Sequence, residues 1–572
     1  MPRPSALSPF VSSAAGTRAP ALLALLFAAS APAHADTLVD NVHGQRIAED
    51  GTLQPVSALV YDDFGVIRAV YAPGQKPSKK GVKFHLDGQG RVLLPGLIDA
   101  HTHVLQTGFA ALTLDLTDTA SLADALTRIA AFAAAHPERP WIIGRGWNAE
   151  RWGLSRLPTA AELDAAVPGR PVWLERADGH AGWANTAALK AAGLTAATTA
   201  PVGGSIERDA TGAPAGVLAE TAMDLVARAV PAPTARDYDT ALQIAQREFF
   251  RRGLTAVTDM GTDIRDWQAF RRAGDANRLY VRIMAYASGT DAMALIAGPA
   301  PSPWLYADRL RMGGMTFTMD GALGPRGGWL KAPYADAPAT RGLPRLSQTQ
   351  LGNLMSRAAM DNFQVAVSAT GDEANATLLG AIDDLTATYK GDRRWRLERA
   401  QVIVPKDRPT VTRIAANGGI VASVQPTAQA TDRRIDEARL GPDRLAGVHP
   451  WASLKAAGAA LAFGSGSPVE RPDPWAGLAT ALAREGAERP DRATALAAYT
   501  ASAAWAGFAD SRFGRLAPGQ RADFILVDTD PATATPSQIR QTRVFQTWVG
   551  GGKVWDSEKP EGTTETTLTP AR

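Results

Sequence analysis

Two histidines one residue apart, His101 and His103 in the stretch LLPGLIDAHTHV (93–104), have the type and spacing that most directly imply chemistry. On a β-strand, residues i and i+2 face the same side, so both imidazoles can address one divalent metal ion. Hydrolytic metal sites usually draw three or more protein ligands, so further donors must come from elsewhere in the chain. The chain has eight histidines and no cysteine, which removes disulfides, thiolate ligands and a cysteine nucleophile together. His43 and His85 fall among the first short strands, while His136 and His449 each precede a proline in loop-like stretches. His180 is left as a further candidate.

Other residues invite two readings each. Trp147 and Trp152 in GRGWNAERWG either wall a ligand pocket or pack their own segment. Asp320 and Arg326 bracket DGALGPR and either contact substrate or form a turn or buried salt bridge. Asp372 reads as the cap of a following helix rather than as a catalytic acid. Glu398 is adjacent to Arg399 and is expected to point the opposite way along a strand. Ser368 has no histidine near it in sequence, so no Ser–His–Asp set is legible.

The elements that must position these residues form a long alternation. Candidate strands recur at 254–261, 279–287, 310–321, 364–372, 399–405, 419–426 and 460–467, with helical stretches between them. With the strand before His101 they number eight, which predicts a parallel α/β architecture closed as a (β/α)8 TIM barrel over 96–508. The histidine pair then lies at the C-terminal end of the first barrel strand, the face where such barrels carry their chemistry. Residues 111–215 read as an insertion, in which Ser121 and Asp124 form a helix-start signal. Short strands split by Gly and Pro turns fill 36–95 and return at 509–557, and the polar tail 558–572 is expected to be disordered.

Residues 1–35 read as an export signal: Arg3 and Arg18, an apolar run at 19–30, and Ala33-His34-Ala35 before Asp36. The expected destination is the periplasm or the outside. The remaining 537 residues carry a formal charge of +1, because the overall +3 includes Arg3 and Arg18. No Lys/Arg-rich run marks a nucleic-acid or anionic-membrane surface. No later apolar run reaches the roughly 18 residues that a membrane span needs.

Several stretches together resemble the amidohydrolase superfamily, in the family 3 branch that includes N-substituted formamide deformylases. They are LLPGLIDAHTHV, LPTAAELD (157–164), PVWLERADGHAGWANTAAL (171–189), GGSIERDATGAPAGVLAE (203–220), DGALGPRGGWLKAPYAD (320–336) and GRLAPGQRADFILVD (514–528). The resemblance runs from about 40 to 556. It implies a small β-sandwich made from both chain ends, hydrolysis of non-peptide carbon–nitrogen bonds in amide or N-formyl compounds, and one or two divalent metals, usually zinc. It also implies that His180 lies near the substrate.

The ligand set that the resemblance implies is the strand-1 histidine pair, a lysine or glutamate on strand 4, histidines on strands 5 and 6, and an aspartate on strand 8 that also takes the proton of the attacking water. His101 and His103 match. Thr316, Ser368, Arg399 and Gly466 stand in the other positions, and Ala428 replaces a further histidine on strand 7. A guanidinium does not deprotonate in a protein, and without the aspartate no catalytic carboxylate is left there. Zinc is then expected to bind weakly or not at all. Two function classes remain, a small-molecule amidohydrolase and a non-catalytic binding or scaffold descendant. Arg399, balanced by Asp320 or another acid, is expected to fill the metal's place, so that Arg399→Ala would cost several kcal/mol.

Overall fold

The computed structural model describes residues 36–177, 181–201, 204–559 and 569–570. Eight parallel strands form one sheet in chain order: β1 (Leu97–Thr102), β2 (Leu254–Thr262), β3 (Arg282–Ser288), β4 (Leu310–Thr318), β5 (Gln364–Ala369), β6 (Trp395–Arg399), β7 (Ile420–Val424) and β8 (Ala460–Phe463). The sheet curls into a nearly closed barrel. Its seam is held where the Gly466 amide donates to the His101 carbonyl (2.8 Å) and the His103 amide to the Ser467 carbonyl (2.9 Å). Gly464 permits that approach, since a Cβ there would lie 2.5 Å from the His101 nitrogen.

Strands such as IVASV in β7 are buried throughout because helices cover the outside and side chains fill the inside. The outer layer packs Leu254, Val257, Ile283, Leu397 and Leu461 against helices such as Ala235–Phe250 and Ile264–Asp275. Inside the barrel, Ile98, Ala100, Met284, Tyr286, Ala366 and Val421 meet Ala503, Ala504 and Ala506 of the helix Ala501–Ala506. That plug closes the end of the barrel opposite the strands' C-termini.

The sixth strand differs from its expected place at 399–405. β6 is WRLER, residues Trp395–Arg399, and the apolar VIV that follows leads into a short 3-10 turn at Pro405–Asp407. Apolar content drew the expectation downstream, whereas two of the three charged residues of β6, Arg396 and Glu398, satisfy each other inside the barrel.

Two further sheets flank the barrel. Leu114–Asp115, Ile142–Trp147, Val172–Arg176, Ala181–Ala184, Pro214–Glu220 and Gly204–Arg208 form a six-stranded sheet between β1 and β2. In it Ser121 caps the helix Leu122–Ala135 by accepting from the Asp124 amide. A nine-stranded sheet joins the two chain ends, with Phe524–Val527 antiparallel to Val82–Pro95. In the polar tail, Thr569–Pro570 pair with Val82–Pro95, opposite His85 and Phe84. The export signal expected at 1–35 lies outside the described residues, and no described helix is long and apolar enough to cross a membrane.

Candidate functional site

His101 faces into the barrel because β1 carries an extra residue. Asp99 stands opposite Val257 and Thr102 opposite Asp259, so three steps on β1 match two on β2. This bulge breaks the two-residue alternation. Ala100 joins the interior cluster, and His101 next to it still reaches the interior carboxylate of Glu398. Asp99 holds the distorted backbone by accepting from the amides of His101 (3.1 Å) and Ser465 (3.0 Å), and burial pushes its carboxyl up to about 6.

The Nδ1 atom of His101 lies 2.6 Å from Glu398 Oε2. Glu398 is fully buried, and its Oε1 receives the Arg396 Nε at 2.6 Å. Burial acts to raise the Glu398 carboxyl, but the Arg396 charge and the hydrogen bonds from His101 and Ser423 prevail and hold it near 2. The carboxylate is therefore ionised and holds a proton on His101 Nδ1, and no described residue engages the ring's Nε2. Arg396 is itself fixed by the Ala100 carbonyl (2.7 Å), the Tyr286 hydroxyl (3.2 Å) and Ser423 Oγ (3.4 Å).

His103 follows β1 and is the N-cap residue of the helix Val104–Leu112. Its own side chain provides no cap; the Asp259 carboxylate accepts from the Val104 amide (2.7 Å) in its place. The His103 ring stands edge-on to His101 with centroids 5.7 Å apart. Burial, then the nearby His101 and Arg399 charges, lower it to about 4 against a hydrogen bond with the Met260 backbone, so the ring is neutral at pH 7.

Thr316 on β4, Ser368 on β5, Arg399 at the end of β6 and Gly466 after β8 all come to the same C-terminal rim. Gly466 has φ +70° and serves the seam. Arg399, also in a left-handed conformation (φ 70°), is exposed at the mouth and forms no ion pair among the described residues. Its expected partner is engaged elsewhere: the buried Asp320 carboxylate accepts from the amides of Trp329 (2.8 Å), Thr370 (2.9 Å) and Gly371 (2.8 Å). Partial burial of the guanidinium acts to lower it, and Asp320 and Asp432 oppose this only from a distance. Arg399→Ala is therefore expected to change stability by about 0.5 kcal/mol or less; a urea midpoint well below wild type would contradict this.

Other expectations need correction. Trp147 has no exposed surface and donates its indole N–H to the Leu174 carbonyl (2.8 Å). With Trp152 and Trp183, at ring separations of 6.2–6.5 Å, it packs the core of the inserted sheet rather than walling a pocket. Arg326 lies at a left-handed turn and pairs with Asp336 at 2.9 Å near the surface rather than in a buried salt bridge. Asp372 follows its helix's N-cap, Gly371, and accepts from the Lys331 amide instead of capping. His180 lies outside the described residues.

Glu398 is the functional residue that the sequence argument missed, and Arg396 is its support. Charged residues at i and i+2 in a strand covered on both faces had to pair inside the barrel; that spacing was the available signal.

The residues fit zinc poorly. Among the described residues the mouth offers two imidazoles, and no group of three or more His, Asp or Glu side chains there is disposed to hold a metal ion. Glu398 is engaged behind His101, and the Arg399 guanidinium repels a cation beside His103.

The model of the amidohydrolase family matches residues 86–554. Putative amidohydrolase YtcJ of Bacillus subtilis (strain 168) is 31% identical over 520 residues, covering 87% of this chain and 96% of that protein. N-substituted formamide deformylase of Arthrobacter pascens is 28% identical over 492 residues, 82% of this chain and 89% of that one. Among solved structures, an uncharacterized metal-dependent hydrolase from Pyrococcus furiosus matches with a TM-score of 0.73 at 24% identity, over 87% of this chain and 100% of the other, which supports the fold.

Proposed function

This chain belongs to the amidohydrolase family, and we propose that it hydrolyses a carbon–nitrogen bond of a small, non-peptide amide or N-formyl compound at the mouth of its barrel. The observation that carries this reading is the convergence there of His101, His103, Glu398 and Arg399. Oriented imidazoles can move the protons that amide hydrolysis requires, and a guanidinium can face the carbonyl oxygen. Similarity to an N-substituted formamide deformylase favours N-formyl compounds as the first class to test. Export supports small substrates met outside the cytoplasm, in keeping with the apolar run at 19–30 and the Ala33-His34-Ala35 site. On the same reading the terminal strands form the small β-sandwich of that family.

A second reading, a small-molecule binding protein without turnover, is favoured by one observation. Gly466 stands where the resemblance expects the proton-accepting aspartate. The two readings separate in one assay: amine release from a panel of N-formyl amines, N-acyl amines and cyclic amides. The hydrolase reading expects turnover that His101→Ala abolishes. Binding measured by calorimetry for panel members that are never cleaved would overturn it in favour of the second.

A further inference from the structure

Resting on the hydrolase reading, we propose that the amide is cleaved with no metal ion at the reacting centre: His101 moves the protons, Glu398 positions His101, and Arg399 receives the charge that develops on the carbonyl oxygen. The donor set argues for this division of work. His101 directed by a carboxylate at 2.6 Å is an arrangement that serves a metal ligand and a general base equally. What decides between them is the company it keeps. Among the described residues a metal would find one further imidazole and a guanidinium, whereas a water and a carbonyl would find a base, a second acceptor in His103 and a cation.

The supporting chain is built for orientation. Arg396 on β6 grips the Ala100 carbonyl on β1, the Tyr286 hydroxyl on β3 and Ser423 on β7, and presents Glu398 to His101. Four strands therefore fix one imidazole. Glu398 has no exposed surface and acts through His101, which makes it a positioning residue.

The steps balance with water as the sole co-reactant. His101 Nε2 takes a proton from water as the water oxygen bonds to the carbonyl carbon, and the carbonyl electron pair moves onto oxygen facing Arg399. When the C=O re-forms, the C–N bond breaks and its electron pair takes the proton from His101 Nε2. An amine and a carboxylic acid leave, and the acid releases its proton to solvent.

The test uses the mature protein stripped with a chelator, its metal content checked by elemental analysis, against the same amide panel. The expected result is a kcat equal to that of untreated protein, lowered about 10²- to 10⁴-fold in Glu398→Gln with KM little changed and partly rescued in Glu398→Asp. Nitrogen-15 histidine NMR of the wild type should show His101 protonated on Nδ1, a reading that needs neither turnover nor a folded variant. Activity that appears only on adding zinc keeps the hydrolase reading and overturns the metal-free mechanism. No cleavage with or without metal overturns the hydrolase reading and the mechanism with it. His101 protonated on Nε2, or a Glu398→Gln protein with full kcat, overturns the role given to Glu398.

Discussion

Arg396→Met is expected to lower the stability of the folded chain by about 3–5 kcal/mol near neutral pH, read as a fall in the urea midpoint. Arg396 and Glu398 are both fully buried, so the substitution leaves a carboxylate inside the barrel with its cation gone. Methionine replaces most of the lost volume, which makes the cost electrostatic rather than a cavity effect. Acid should distinguish the two causes. In wild type Glu398 is held near 2, below the roughly 4.3 of an unfolded glutamate. Its contribution is thus present above about pH 4.3 and is lost as pH falls through 2. In the variant, burial acts unopposed by Arg396 and raises the carboxyl, so the variant gains relative stability as the group protonates. The deficit should narrow steadily on acidification, and Arg396→Met/Glu398→Gln should be more stable than Arg396→Met alone. An Arg396→Met midpoint equal to wild type would remove the ion pair from the account of the barrel core.

The barrel was legible because its strands are short apolar runs spaced by helices, and seven of the eight fall close to where that pattern puts them. β6 escaped for a physical reason. WRLER has the composition of a surface segment, and only a tertiary partner makes its charges compatible with burial. The consequence reached the site. With the strand set at 399–405, Arg399 took the central place and Glu398 was turned away from it. The structure puts Glu398 in the interior and Arg399 at the rim.

The histidine pair was legible as chemistry but not in its geometry. Strict alternation would have sent Ala100 and His101 to opposite faces of β1, and the bulge that turns both inward rests on Asp99 meeting the Ser465 amide more than 360 residues away. No local signal carries such a contact. Trp147 misled in the opposite direction. Tryptophans near a candidate site suggest a pocket, yet three of them share one core under the inserted sheet.

Asp523→Ala should cost a further loss of the same size, about 3–5 kcal/mol, and it tests how the chain ends are tied to the barrel. Arg282 opens β3 and is 1% exposed, and Asp523, just before the strand Phe524–Val527, is 3% exposed. They meet twice, Nε to Oδ2 at 2.6 Å and Nη2 to Oδ1 at 2.8 Å. Oδ1 also accepts from the Gly550 amide (2.7 Å), and Arg282 Nη1 donates to the carbonyls of Ala307 and Asp308, both at 3.0 Å. Alanine would strand the guanidinium beneath the Phe513 ring, 5.1 Å from its centroid, and leave the Gly550 amide without an acceptor. Because Phe524–Val527 pairs with Val82–Pro95, which runs directly towards β1, loosening this corner should reach the histidine strand. Hydrogen exchange is expected to rise in Phe524–Val527, in Val82–Pro95 and at the start of β3 together. A rise confined to the C-terminal strands would show that the sheet opens on its own and that the ion pair does not couple it to the barrel.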